Sequence, residues 1–89
     1  MKVIWTKHSI ERQKQWEIKI GVKKEDVENV LIFPEQIVSG DLDAMVAQSK
    51  FNDGLIRIPF VQQNEDRKIL TVYWTSKIEK YWKETEGHK

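Results

Sequence analysis

Two residues near the start of the chain, His8 and Arg12, have types and a spacing that suit phosphate chemistry. On a helix, residues four apart lie on the same face. Histidine moves protons near neutral pH, and the planar guanidinium of arginine holds phosphate groups. The pair therefore suits phosphodiester cleavage or phosphate binding. A histidine bonded to backbone beside a surface arginine is the structural alternative.

A second arginine, Arg57, stands among apolar residues in a segment with strand character. A charged residue in that setting must face water or a partner, and a salt bridge to an acidic residue is the structural alternative. Side chains alternate along a strand, so Arg57 is predicted to face away from the helices, next to Thr71, Tyr73 or Thr75 of a later strand. Tyr73 is either a hydrogen-bond donor in a site or a half-buried sheet residue.

The elements that position these residues are predicted in the order β-α-α-β-β-β-β-α. This is an α+β fold with two N-terminal helices packed on one face of a small antiparallel sheet and a short C-terminal helix. Thr6 is expected to cap a helix from Lys7 to Ile18 or Ile20, which Gly21 ends. The other elements are a helix over 23–33, strands over 3–6, 36–39, 44–51, 55–62 and 68–75, and a helix over 76–85.

Alternation also predicts the core and one irregularity. A hairpin turn is expected at Asn52-Asp53-Gly54. Pro59 lacks an N–H group, so its strand is expected to lie at an edge or to be distorted there. The residues expected to share the core beneath the helices are Val27, Val30, Leu31, Leu70, Val72 and Trp74.

Length and composition limit the class of protein. The chain has 89 residues and is expected to form one domain over 1–89. It has no cysteine, which excludes disulfides, thiolate metal sites and a cysteine nucleophile. No metal-ligand spacing or cofactor motif is present, so neither a metal nor a cofactor is expected. No apolar run approaches the roughly 18 residues of a membrane span, and a cytoplasmic location is expected.

The basic residues concentrate at the two ends of the chain. Residues 1–24 contain seven Lys or Arg and two acids, residues 25–66 two and nine, and residues 67–89 six and three. If the two ends meet in the fold, they form a positive surface that attracts phosphates. A solvated mosaic of charges is the alternative.

The chain also contains four tryptophans, a high number for so small a core. Trp74 and Trp82 are expected in the core. The surplus predicts that Trp5, Trp16 or the strand 44–51 lies in an interface with a partner protein or a second copy of the chain.

Three stretches of the chain carry a resemblance when taken in order. They are Thr6-Lys7-His8-Ser9-Ile10-Glu11-Arg12, the run from Gly21 to Leu31 with Pro34-Glu35, and Leu55-Ile56-Arg57-Ile58 with the run from Ile69 to Tyr81. Together they resemble a family of small prokaryotic domains of unknown function, related to the BrnT toxins and more distantly to the RelE-like toxins. The resemblance covers nearly the whole chain.

The resemblance implies the toxin of a type II toxin–antitoxin system, a metal-independent endoribonuclease with RNA and an antitoxin protein as partners. His8 would then do acid–base work, Arg12 and Arg57 would stabilise the phosphate, and Tyr73 would position it or assist proton transfer. The expected RNA-binding residues around them are Lys7, Lys77, Lys80 and Tyr81.

The alternative is a non-catalytic protein-binding module of the same fold. The two hypotheses differ in what they require of the structure. A nuclease requires His8 and Arg12 to converge with Arg57 and Tyr73 on one pocket, where the first helix meets the sheet. If the four side chains lie on different faces, this nuclease site is abandoned and only the partner-binding hypothesis is kept.

Overall fold

A computed structural model describes residues 1–84 of the chain. The described chain is an α+β fold with three helices and one mixed sheet. The helices are α1 (Lys7–Ile20), α2 (Lys24–Ile32) and α3 (Ile78–Tyr81). The strands are β1 (Val3–Ile4), β2 (Gln36–Ser39), β3 (Met45–Phe51), β4 (Gly54–Gln63), β5 (Asp66–Ile69) and β6 (Tyr73–Thr75).

Helix α1 begins and ends as its sequence predicts. The Thr6 hydroxyl accepts a hydrogen bond from the Ser9 N–H at 3.1 Å, and the Ser9 hydroxyl accepts one from the Thr6 N–H at 2.9 Å. At the other end Gly21 adopts a φ of 82°, which glycine tolerates without strain. The buried face of α1 includes the polar residues Ser9 and Gln13. The Gln13 amide is satisfied there, because it donates to the Val22 carbonyl at 2.9 Å.

The sheet is mixed, so the expectation of a purely antiparallel sheet is wrong. The strand order is β1-β5-β4-β3-β2, and β6 pairs with β4 beyond the end of β5. Strands β2, β3 and β4 are antiparallel and include the predicted hairpin of β3 and β4, whereas β1 pairs with β5 in parallel. Two helices separate β1 from β2, so β1 is free to add to the far edge of the sheet.

The strand expected over 68–75 is divided into β5 and β6. Phe60 pairs with Ile69, but Arg57 pairs with Tyr73, so the register shifts by one residue between the two pairs. The shift lies opposite Pro59, whose carbonyl accepts from the Leu70 N–H at 2.8 Å. Proline has no N–H to continue the ladder, and the extra residue is accommodated as a bulge. Distortion at Pro59 was one of the two predicted outcomes.

This bulge corrects the predicted core at one position. Ile69 and Val72 are buried, whereas Leu70 is 37 % exposed and lies on the opposite side of the sheet. The expectation that Leu70 belongs to the core is therefore wrong. Simple alternation fails across a bulge because each inserted residue reverses the faces that follow it.

Helices α1 and α2 cover one face of the sheet, which we call the core face. The Trp16 ring of α1 lies 6.5 Å from the Trp74 ring, and Val27 and Leu31 of α2 are fully buried. Trp5 and Trp16 pack against the same cluster, and β3 is an interior strand flanked by β2 and β4. The buried members of the cluster are Val22, Val27, Val30, Leu31, Ala47, Ile56, Ile58, Phe60, Ile69 and Val72.

The opposite side of the sheet, which we call the Arg57 face, carries Val38, Gln48, Arg57 and Tyr73. It is covered in part by the C-terminal segment, residues 78–84. The helix expected over 76–85 is only α3, because no side chain caps its start and the chain becomes extended at Trp82. Residue 85 lies outside the described residues. Within residues 1–84, no helix is long and apolar enough to cross a membrane.

The hairpin between β3 and β4 has the predicted turn, and Gly54, which follows the turn, is closely packed. Asn52 and Asp53 adopt φ values of 50° and 62°, as the favoured two-residue turn requires. A Cβ atom at Gly54 would collide with the Thr75 carbonyl oxygen and the Trp74 ring. We expect Gly54→Ala to lower the free energy of unfolding by about 1–3 kcal/mol, measured by urea denaturation. An unchanged midpoint would contradict the close approach of β6 to this turn.

Candidate functional site

The most unusual side chain of the described structure is Arg57, a charged group only 7 % exposed on the Arg57 face. Strand β4 places it there by alternation, between the core-facing residues Ile56 and Ile58. Burying an ionised group costs free energy unless other groups compensate it, so its surroundings are informative.

The Arg57 guanidinium is held by uncharged groups. Its Nε–H donates to Gln48 Oε1 at 2.8 Å, and its Nη1 donates to the Tyr73 hydroxyl. Its Cζ atom lies 4.0 Å from the centre of the Tyr81 ring and 5.6 Å from that of Tyr73. Both hydrogen bonds go to neutral partners, so within the described chain the aromatic rings and dipoles stabilise this cation without neutralising it.

Gln48 connects Arg57 to the C-terminal segment. This fully buried side chain accepts from Arg57, and its Nε2 donates to Gln36 Oε1 at 2.8 Å and to the Tyr81 carbonyl at 3.1 Å. Gln36 in turn donates to the Lys83 carbonyl at 2.6 Å and accepts from the Lys83 N–H at 3.1 Å. Every polar atom of the Gln48 amide is used, and the network orients Arg57.

Arg57 opens onto a surface pocket of about 740 Å³, which we call the Arg57 pocket. Arg57 and Tyr73 come from the sheet, and the loop around residues 39–44 forms one wall. The C-terminal segment forms another wall with Lys80, Tyr81 and Lys83. Leu70 and Thr71 line it as well, because the bulge turns both toward this side of the sheet.

The charges of the Arg57 pocket are mostly positive. Among the described residues that line it, Arg57, Lys80 and Lys83 are basic and Asp41 is acidic. The guanidinium has five N–H groups, of which two donate to Gln48 and Tyr73, and this leaves three. The pocket can therefore bind an oxyanion through charge-assisted hydrogen bonds.

The predicted convergence of four catalytic residues is wrong. Arg57 and Tyr73 are in direct contact, but His8 and Arg12 lie on the exposed surface of α1. Helix α1 packs on the core face, so the sheet separates the two pairs. The spacing of His8 and Arg12 does place them side by side, and Arg12 donates to Gln15 at 3.3 Å on that surface.

Only two of the four expected RNA-binding residues lie at the Arg57 pocket. Lys80 and Tyr81 line the Arg57 pocket. Lys7 is exposed on α1, and Lys77 lies just before α3, outside the lining of the pocket. In the described chain no group of three or more His, Cys, Asp or Glu residues is arranged to hold a metal ion.

Sequence reasoning missed Gln36, Gln48 and Lys83, which complete the site. A signal for Gln48 was present, because a two-residue turn at Asn52-Asp53 places Gln48 directly opposite Arg57. No comparable signal existed for Lys83, whose position depends on how the C-terminal segment folds back over the sheet.

The exposure of His8 gives a prediction about α1. Since the His8 side chain is exposed on α1, we expect His8→Ala to change the free energy of unfolding by less than about 0.5 kcal/mol. Urea denaturation measures this directly. A loss several times larger would show that His8 has a structural role.

Comparison with protein-family models, curated proteins and solved structures gave no significant match. The resemblance to BrnT and RelE-like toxins therefore stays a prediction.

Proposed function

We propose that this chain binds RNA, and that the Arg57 pocket holds a backbone phosphate. The observation that carries the proposal is the Arg57 guanidinium, which is buried, fixed in orientation and bonded only to neutral groups in the described chain. Such a cation has lost much of its hydration, and within residues 1–84 no carboxylate is hydrogen-bonded to it. An external oxyanion would supply a counter-charge and accept from its remaining N–H groups.

The rest of the pocket favours a nucleotide phosphate over an isolated carboxylate. Tyr73 and Tyr81 place aromatic rings beside the guanidinium, and bases stack on such rings in single-stranded RNA. Lys80 and Lys83 add positive charge at the C-terminal wall. A volume of about 740 Å³ leaves room for a phosphate together with its nucleoside.

Fluorescence anisotropy with a labelled single-stranded RNA of about ten nucleotides tests the proposal. We expect saturable binding that weakens as the salt concentration rises, because basic groups displace counterions from the backbone. A labelled polyglutamate peptide of similar charge is the comparison. Binding of the peptide as tightly as the RNA, or no binding of RNA, would overturn the proposal.

Cleavage of the bound RNA, as expected of a toxin–antitoxin endoribonuclease, is a second candidate function. Its support is the Tyr73 hydroxyl, which contacts Arg57 at the pocket and could position a phosphate or transfer a proton. Any such chemistry would use Tyr73 with Arg57, Lys80 and Tyr81, since His8 and Arg12 lie across the sheet.

Induction of the chain in cells, followed by analysis of total RNA, separates binding from cleavage. Growth arrest with RNA fragments in the unmodified chain, and neither with Tyr73→Phe, would support a nuclease. Growth arrest that co-expression of a neighbouring small gene relieves would support the toxin–antitoxin assignment. Intact RNA at all times would leave the chain as a binding module.

A further inference from the structure

We infer that Gln48 is the positioning residue of the Arg57 pocket: its amide fixes the Arg57 guanidinium without neutralising it. The role of Gln48 rests on the proposed binding of RNA at this pocket. It adds a specific claim, namely that an uncharged partner at position 48 keeps the positive charge available to an oxyanion from outside.

The geometry of Gln48 supports both halves of the claim. Its Oε1 accepts from Arg57 Nε at 2.8 Å, which fixes one edge of the guanidinium. Its Nε2 donates to Gln36 and to the Tyr81 carbonyl, so the amide has a single orientation that satisfies all its partners. Since Gln48 is fully buried, its amide has no water partner to exchange for these groups.

A carboxylate at this position would have nearly the same shape and the opposite effect. A glutamate side chain there would pair with Arg57 internally, and an RNA phosphate would then compete with a charge that is always present. It would also place an oxygen against the Tyr81 carbonyl, where the Gln48 amide donates. Gln48 therefore orients Arg57 and leaves its positive charge available to an external oxyanion, whereas glutamate would neutralise that charge.

Three variants distinguish the effect of a negative charge at position 48 from the effect of losing the orientation of the Arg57 guanidinium. Gln48→Glu adds the carboxylate, and Gln48→Met removes all three hydrogen bonds of the amide without adding charge. Gln62→Glu is the matched control, because Gln62 also accepts from an arginine Nε, that of Arg67 at 3.0 Å, but it is exposed and outside the pocket. Circular dichroism confirms that each variant is folded before binding is measured.

With the single-stranded RNA probe, we expect Gln48→Glu to bind at least about tenfold more weakly than the unmodified chain. Gln48→Met should lose less affinity than Gln48→Glu. The affinity of Gln62→Glu should stay within about twofold of the unmodified chain, since its charge lies outside the pocket. Equal affinities for the two Gln48 variants would overturn the claim about charge. Equal losses in Gln48→Glu and Gln62→Glu would show a general effect of net charge and would also overturn it.

The NMR signal of the Arg57 Nε–H group tests the positioning role without RNA. We expect a signal protected from exchange in the unmodified chain, its loss in Gln48→Met and its retention at a shifted frequency in Gln48→Glu. An unchanged signal in Gln48→Met would overturn the positioning role even if RNA binds. Failure of the unmodified chain to bind RNA, with the NMR result as expected, would overturn the proposed function alone.

Discussion

Replacing Arg57 with glutamine should weaken RNA binding about 10- to 100-fold, which corresponds to the roughly 1.5–3 kcal/mol of a charged hydrogen bond. The guanidinium is the buried cation of the pocket, and glutamine retains polarity without the charge. The same change should alter the free energy of unfolding by less than about 1 kcal/mol. Arg57→Gln removes two hydrogen bonds, but it also removes an ionised group that the described chain does not neutralise.

Arg12→Gln is the matched control for this prediction. It removes the same charge from an exposed position on α1, across the sheet from the pocket. We expect its affinity for RNA to stay within about twofold of the unmodified chain, apart from the weak effect of net charge. Anisotropy titrations at one salt concentration measure all three proteins. A larger loss for Arg12→Gln than for Arg57→Gln would place the RNA on the helical side.

The largest effect on stability is expected from Phe60→Ala. Phe60 is 2 % exposed and lies in the core cluster beneath α2, so truncation leaves a cavity among packed side chains. A loss of about 3–5 kcal/mol in the free energy of unfolding is expected. That is a large part of the roughly 4–13 kcal/mol that a domain of this size has in total.

Phe33→Ala provides the same substitution at a surface position. Phe33 is 74 % exposed at the end of α2, and its truncation should cost less than about 0.5 kcal/mol. Urea denaturation of both variants gives the difference. Similar losses at the two positions would contradict the assignment of the core face.

Local patterns predicted the elements that depend on neighbouring residues. Thr6 caps the start of α1 and Gly21 caps its end, and the turn at Asn52 and Asp53 determines the hairpin register. The strand over 68–75 was predicted as continuous because its apolar residues alternate. The break depends on Pro59, a residue distant in sequence that β5 and β6 both approach.

The candidate site was also predicted only in part, because local patterns do not determine long-range contacts. Alternation places Tyr73 among the residues that share a sheet face with Arg57, and the structure brings the two into contact. His8 and Arg12 share a helix face as their spacing predicts, but spacing within a helix does not reveal which side of the sheet the helix covers. That side depends on long-range packing of Trp16 against Trp74.

The central claim is that RNA binds on the Arg57 face. Titration of isotope-labelled protein with the single-stranded RNA, followed by NMR, tests it most directly, because each backbone and arginine signal reports on its own position. We expect the largest shifts at Arg57, Tyr73, Lys80 and Tyr81, with little change at His8 and Arg12. Shifts concentrated on α1, with the Arg57 signals unmoved, would contradict the claim.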